Sequence, residues 1–231
     1  MILKLAKIKV RPSFVDEVYK TLLDAISDGS LAPGARVTQE EIAEQLNVSR
    51  SPVLQALQLL KKDGLVQDAP GRGILIAPLD ADWIGNLYQV RGALDTLAAR
   101  LAAERQQAIA PELIAAGRKA ARGKNVKAMI DADVAFHTAI YHASGNPLIS
   151  ENTQLHWVHL RRVMGAVLQS SGQRESIWNE HEAIAQAIAS GDARLAAELS
   201  ENHARIARDH LTSRLEEVLE SLQTKGNAAA V

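Results

Sequence analysis

The stretch DGSLAPGARVTQEEIAEQLNVSRSPVLQALQLLKKDGLVQDAPGRGILI, residues 28–76, decides how the chain is read. Gly29 ends a preceding amphipathic segment, FVDEVYKTLLDAISD at 14–28, whose Val15, Val18, Leu22, Ala25 and Ile26 recur at helical spacing. LAPGA is a turn. Thr38 followed by Glu41 is a capping box before a short helix that buries Ile42, Ala43 and Leu46. Asn47-Val48 forms a tight turn and Ser49 caps the next helix. Pro52 is tolerated there because first-turn N–H groups lack an intrahelical partner. Val53, Leu57 and Leu60 continue the apolar stripe until Asp63-Gly64 stops it. Leu65-Val66, a tip of Pro70-Gly71-Arg72-Gly73 and Ile74-Leu75-Ile76 read as a β-hairpin, and Pro78 closes the unit.

Three helices followed by a hairpin predict a winged helix-turn-helix over roughly 11–78, within an N-terminal domain at 1–78. In that arrangement the second helix of the pair enters the DNA major groove with its first residues against base edges. Here those are Ser49, Arg50, Ser51, Gln55 and Gln58. Arg50 suits bidentate contact with guanine and Gln55 with adenine. Arg72 at the wing tip reaches a minor groove or phosphate, while Arg36, Lys61 and Lys62 are backbone contacts; Thr38 is counted with this DNA-facing set. The competing reading is two merely packed helices with Arg50 solvated. A Gly-Arg-Gly tip argues against it.

The composition of the whole chain supports a mainly α fold. Hydrophobic residues make up 47 % of 231 but aromatics only 3 %, and Ala and Leu favour helices. There is no Cys, so disulfides, thiolate metal sites and Cys nucleophiles are excluded. No apolar run is long enough to span a membrane, and MILKLAKIKV is too short and interrupted for a secretory signal, so a cytoplasmic protein is expected. Residues 1–78 hold ten Lys/Arg against nine Asp/Glu, so DNA binding must come from local charge placement and from dimerisation.

From residue 80 the pattern becomes long Ala/Leu-rich helices at about 80–106, 111–122, 125–144, 147–170, 174–190 and 192–222. Their breaks are Pro111, Gly123-Lys124-Asn125, Gly145-Asn146-Pro147, Ser171-Gly172 and Gly191-Asp192, and the tail from Lys225 is expected to fray. A six-helix bundle over 79–231 buries these stripes. All seven histidines lie between 137 and 210. Asp133 and His137, four apart, leave one helix face, and His181 and His203 lie on two later helices. Together they form a candidate site for zinc or another first-row divalent metal. The alternative is four satisfied core or capping residues. His156 and His159 are a rival metal pair, more simply interfacial or solvated, and His142 and His210 carry no assignment.

Residues 28–76 resemble the DNA-binding domain of the GntR family of bacterial regulators. The resemblance rests on the G-x-L-x-P-G turn, V-S-R-S-P-V, A-L-x-x-L, and the D-G-L-V step into a G-R-G wing. The family usually reads P-V-R-E-A-L where this chain has Pro52-Val53-Leu54-Gln55-Ala56-Leu57; Leu54 cannot bind phosphate but can touch a thymine methyl. From residue 80 the chain is similar to the FCD effector domain. The matching pieces are RGALDTLAARLAA at 91–103, DADVAFH at 131–137, SGNP at 144–147 and EHEAIAQAIASGD at 180–192. The resemblance implies Asp133, His137, His181 and His203 as ligands of a divalent metal, with a small carboxylate effector completing the coordination. It further implies a homodimer on a palindromic double-stranded DNA operator, acting as a repressor, and six helices directly after the wing resemble the VanR-like subgroup. Arg91 would hold the effector's carboxylate or pair with Asp95, and Asn146 would face the pocket or mark a helix break. No separate nucleophile or general base accompanies these residues. The competing functions, a metal-dependent hydrolase or a non-enzymatic interaction scaffold, are therefore less favoured.

Overall fold

The computed structural model describes residues 14–168 and 176–229, and the chain divides into two units, Met1–Pro78 and Leu79–Val231. The N-terminal decapeptide and the Ser171-Gly172 break lie outside the described residues.

In the first unit the order is α1 (Phe14–Ser27), β1 (Arg36–Val37), α2 (Gln39–Gln45), α3 (Arg50–Lys62), β2 (Val66–Asp68) and β3 (Ile74–Ile76). Helix α1 buries Val18, Leu22 and Ile26, while Val15 and Ala25 at the edge of the stripe are half-buried. Helix α3 buries Val53, Ala56, Leu57 and Leu60. Tyr19 of α1 donates a 2.7 Å hydrogen bond to Asp63 just past α3. The capping box of α2 is complete: Thr38 Oγ1 accepts from the Glu41 N–H at 3.2 Å, and Glu41 Oε2 accepts from the Thr38 N–H at 2.8 Å. Leu46, expected in the core, is half-buried because it is the C-cap residue where α2 turns away. Asn47 makes that turn at φ 50°, a region that Asn tolerates better than most side chains.

Ser49 is the N-cap of α3 by backbone conformation, but its side chain makes no capping bond. The reason lies three residues on: a cap oxygen normally serves the N–H of the second or third helical residue, and the third is Pro52, which has none. The hairpin gains a strand that the sequence reading did not include. β1 pairs antiparallel with β3, giving sheet order β1-β3-β2, with Arg36 opposite Leu75 and Val66 opposite Ile76. The close approach of β1 explains a glycine. Gly73 sits at φ +98°, and a Cβ there would lie 2.8 Å from the Val37 carbonyl oxygen.

The second unit contains α4 (Ala81–Glu104), α5 (Pro111–Arg122), α6 (Val126–Ala143), α7 (Pro147–Val167), α8 (Ser176–Ser190) and α9 (Ala193–Ala229). Asp80 and Asn125 cap α4 and α6 by accepting backbone N–H bonds from Trp83 and Ala128 at 3.0 and 3.1 Å. Small side chains set the packing. Ala98, Ala99, Ala102 and Ala103 of α4 and Ala196 of α9 are fully buried, and a Cβ on Gly92 would sit 3.2 Å from Ala204. These residues let α4 and α9 approach closely. Gly117 of α5 lies against the indole of Trp178 in α8 so tightly that a Cβ would fall 2.0 Å from its ring. Helix α9 continues to Ala229 instead of ending near 222. Between those points there is no proline, and Ala228 and Ala229 belong to the strongest helix-forming residue type.

Candidate DNA-reading face and metal centre

Helix α3 presents Arg50, Ser51, Leu54, Gln55 and Gln58 on its exposed side, opposite the buried Val53, Ala56, Leu57 and Leu60. Leu54 is 42 % exposed, a large apolar side chain on the face that would meet bases. Arg50 Nη1 is 2.9 Å from Glu40 Oε1 of α2, with both side chains more than half exposed. Gln55 Nε2 donates to Ser51 Oγ at 3.4 Å. At the wing, Arg36 donates a hydrogen bond to the Arg72 carbonyl oxygen and so braces the turn from β1, while the Arg72 side chain is exposed. Lys61 pairs with Asp68 of β2 at 2.5 Å, so its charge ties α3 to the wing. Ser49, Arg50, Ser51 and Gln55 therefore share the first turns of α3, with Arg72 on the wing. Arg36, Thr38 and Lys61 have structural bonds of their own.

In the second unit, α6, α8 and α9 each place one histidine in a common cluster. One ring nitrogen from each of His137, His181 and His203 lies within 4.8 Å of the others, and all three residues are buried. The Nε2 atoms of His181 and His203 are 3.2 Å apart, and Asp133 Oδ1 is 3.5 Å from His181 Nε2 and 4.0 Å from His137 Nε2. Phe136 stacks on His181 at 4.3 Å between centroids, and Trp178 packs edge-on to the same ring at 4.7 Å. Burial, reinforced by the Arg91 charge and the neighbouring rings, holds His137 and His181 well below the ordinary histidine value. Both are thus neutral with lone pairs available. Burial also raises the Asp133 carboxyl, against the pull of Arg91 and His203.

This donor set fits a divalent metal. Two imidazole nitrogens each about 2.0–2.1 Å from a tetrahedral ion stand roughly 3.3 Å apart, close to the separation found here. His137 Nε2 is moreover buried with no hydrogen-bond partner, a costly state for a polar atom unless something else engages it. Glu180 adds a feature that the sequence reading missed. Its Oε2 lies 2.8 Å from Nδ1 of His203, on the ring edge away from His181. A carboxylate on the far nitrogen of a ligating histidine fixes its tautomer and raises its basicity. The signal available was the acid directly preceding His181, but its partner is on another helix.

Residues 14–76 match the bacterial regulatory proteins of the gntR family, and residues 86–208 match the FCD domain. The chain is an FCD-bearing member of the gntR family. It is accordingly a DNA-binding transcriptional regulator and not an enzyme. An HTH-type transcriptional regulator in an unstable DNA locus of Streptomyces ambofaciens is 28 % identical over 200 residues, covering 84 % of each chain. A probable D-xylose utilization operon transcriptional repressor of Paenarthrobacter nicotinovorans is 26 % identical over 196 residues, covering 84 % of this chain and 86 % of its own. The solved structure of E. coli McbR/YncC has a TM-score of 0.74 at 22 % identity, covering 87 % of this chain and 98 % of that one, which shows a shared fold.

Within the FCD domain of this regulator a cavity of about 190 Å³ adjoins the histidine cluster, and Arg91, Asp133, His137, Glu180 and His203 all line it. Arg91 meets both sequence expectations. Its Nε is 3.1 Å from Asp95 Oδ2, its guanidinium lies 4.0 Å from the Trp157 ring centroid, and it still borders the cavity. Burial opposes its charge, but Asp95 together with Tyr141, Tyr88 and Asp133 more than offsets this, so the cation is firmly retained. Asp95 also accepts a 2.5 Å hydrogen bond from Tyr141. Asn146 is not part of the cavity lining. It is the N-cap of α7, its Oδ1 accepting from the Leu148 N–H at 3.1 Å ahead of Pro147. Neither His156 nor His159 belongs to the three-histidine cluster. His159 is buried with its ring 4.3 Å from Trp83, and His156 is half-buried, so neither is freely solvated. His210, unassigned from sequence, lines the cavity.

Proposed function

We propose that this regulator is a homodimeric repressor, acting in the cytoplasm, whose hold on a palindromic operator is modulated by a small carboxylate metabolite at a divalent metal in the FCD domain. The observation that carries the reading is the convergence of His137, His181 and His203 within 4.8 Å, with Asp133 beside them, at the wall of a cavity that also contains Arg91. Neutral imidazoles and a carboxylate suit zinc or another first-row ion. The ion would supply an electropositive anchor for a carboxylate, and Arg91 a second. The sense of regulation is drawn from the relative named as a repressor.

On the DNA side, Arg50, Ser51, Leu54 and Gln55 would read base edges, and Arg72 would reach the adjoining groove or phosphate. A near-neutral charge for each unit makes two copies of this face necessary for useful affinity, which is why a dimer is part of the proposal. The test is metal content of the purified protein by elemental analysis, followed by operator binding with and without chelator. Stoichiometric metal that disappears in His137→Ala and His203→Ala supports the proposal. Unchanged metal content in those variants overturns it.

A further inference from the structure

The cavity beside the cluster is chemically lopsided. Its charged groups are linked to one another: Arg91 neighbours Asp133, which adjoins His137 and His181, and His203 is tied to Glu180. Most of the remaining described lining is apolar, with Met129, Met164, Leu168, Trp178, Ile206 and Leu211 surrounding the space, and Tyr88, Ser176 and His210 as the further polar side chains. At about 190 Å³ the cavity exceeds the roughly 150 Å³ of an apolar hole that accepts benzene. It therefore has room for more than a carboxylate.

We propose that the ligand of this site is a monocarboxylate with an alkyl or aryl body about the size of a benzene ring. Its carboxylate lies at the Arg91 and histidine end, and its body lies among the methionines, Trp178 and Leu211. A polyhydroxy acid would place several hydroxyl groups against thioether and hydrocarbon surface. Each would lose its water without gaining a partner there. A second carboxylate would fare worse, since Arg91 is the one Lys or Arg side chain in the described lining. An apolar body, by contrast, gains about fourfold in affinity for each methylene that it buries.

This inference rests on the metal-centred reading above, and one set of titrations separates the two. Full-length protein loaded with zinc is titrated calorimetrically with acetate, hexanoate, benzoate, gluconate and citrate. Hexanoate and benzoate are expected to bind at least tenfold more tightly than acetate, and gluconate and citrate no better than acetate. Met164→Gln, on α7, which carries none of the proposed metal ligands, puts an amide against the apolar body and should cost hexanoate and benzoate about tenfold while leaving zinc and acetate binding unchanged. Tighter binding of gluconate or citrate overturns the ligand class, as does equal binding of acetate and hexanoate, while leaving the metal reading intact. Failure of zinc itself to bind overturns the metal reading and this inference with it.

Discussion

Glu40 and Arg50 face each other across the helix-turn-helix at 2.9 Å, on a surface where both remain more than half exposed. An exposed pair of this kind contributes little stability, so the guanidinium is held in place yet easily surrendered to a base edge. Arg50→Ala is expected to cost about 1–3 kcal/mol of operator binding and to relax preference at one base pair per half-site. Glu40→Ala, which removes a negative charge next to the phosphates, should leave affinity the same or raise it modestly. Fluorescence anisotropy on a selected operator measures both. Retention of affinity and sequence preference by Arg50→Ala would show that α3 does not read the groove as described.

The second relationship to probe is the Glu180–His203 contact. Glu180→Gln keeps the size of the side chain but removes the charge that orients the imidazole. Zinc affinity, measured by competition with a chromophoric chelator, should fall about 10–100-fold. Thermal stability of the metal-free protein should change little, because Glu180 is partly exposed. Equal zinc affinity in the two proteins would mean that the carboxylate is incidental.

Gly117 tests the packing behind the cluster. A methyl group there would fall 2.0 Å from the Trp178 ring, which in turn packs on His181. Gly117→Ala would ordinarily stabilise a helix by about 0.5–1 kcal/mol. Here overpacking should reverse the sign and destabilise by about 1–3 kcal/mol in chemical denaturation. A gain in stability would contradict the contact.

In the wing, Gly73→Ala combines φ +98° with a Cβ 2.8 Å from the Val37 carbonyl oxygen. Strain of this kind costs on the order of 1–3 kcal/mol, and separation of β1 from β3 should disturb the bracing of the wing by Arg36. Lower thermal stability and weaker operator binding, with zinc binding unaltered, are the expected result. An operator affinity equal to that of the parent would show that the wing is not needed.

How much of this was legible in the sequence depended on the range of each interaction. The capping box at Thr38 and Glu41, the Asn47 reversal and the helix stop at Gly64 are all set within a few residues, and they place the helix-turn-helix directly. Strand β1 was not legible, since two residues carry no alternation and their pairing with Ile74 and Leu75 is non-local. The Ser49 cap was overread because Pro52 removes the N–H it would have served. In the bundle, Asp133 and His137 share a face by spacing alone, whereas their meeting with His181 and His203 depends on the packing of three helices. The resemblance to a known domain supplied that association before the geometry did. Asn146 shows the converse: an Asn directly before Pro147 has a local explanation as a cap, and the structure takes it.

Helix α9 runs unbroken from Ala193 to Ala229, 37 residues or about 55 Å, and His203 lies only ten residues from its start. The cluster therefore grips a long rod close to one end. A tilt of roughly 5° about His203 would displace the other end, about 39 Å away, by about 3 Å. Leu211 and Leu215, beyond His203 on the same helix, are buried in the core, so such a tilt would have to carry their packing with it. The lever arm is the backbone itself.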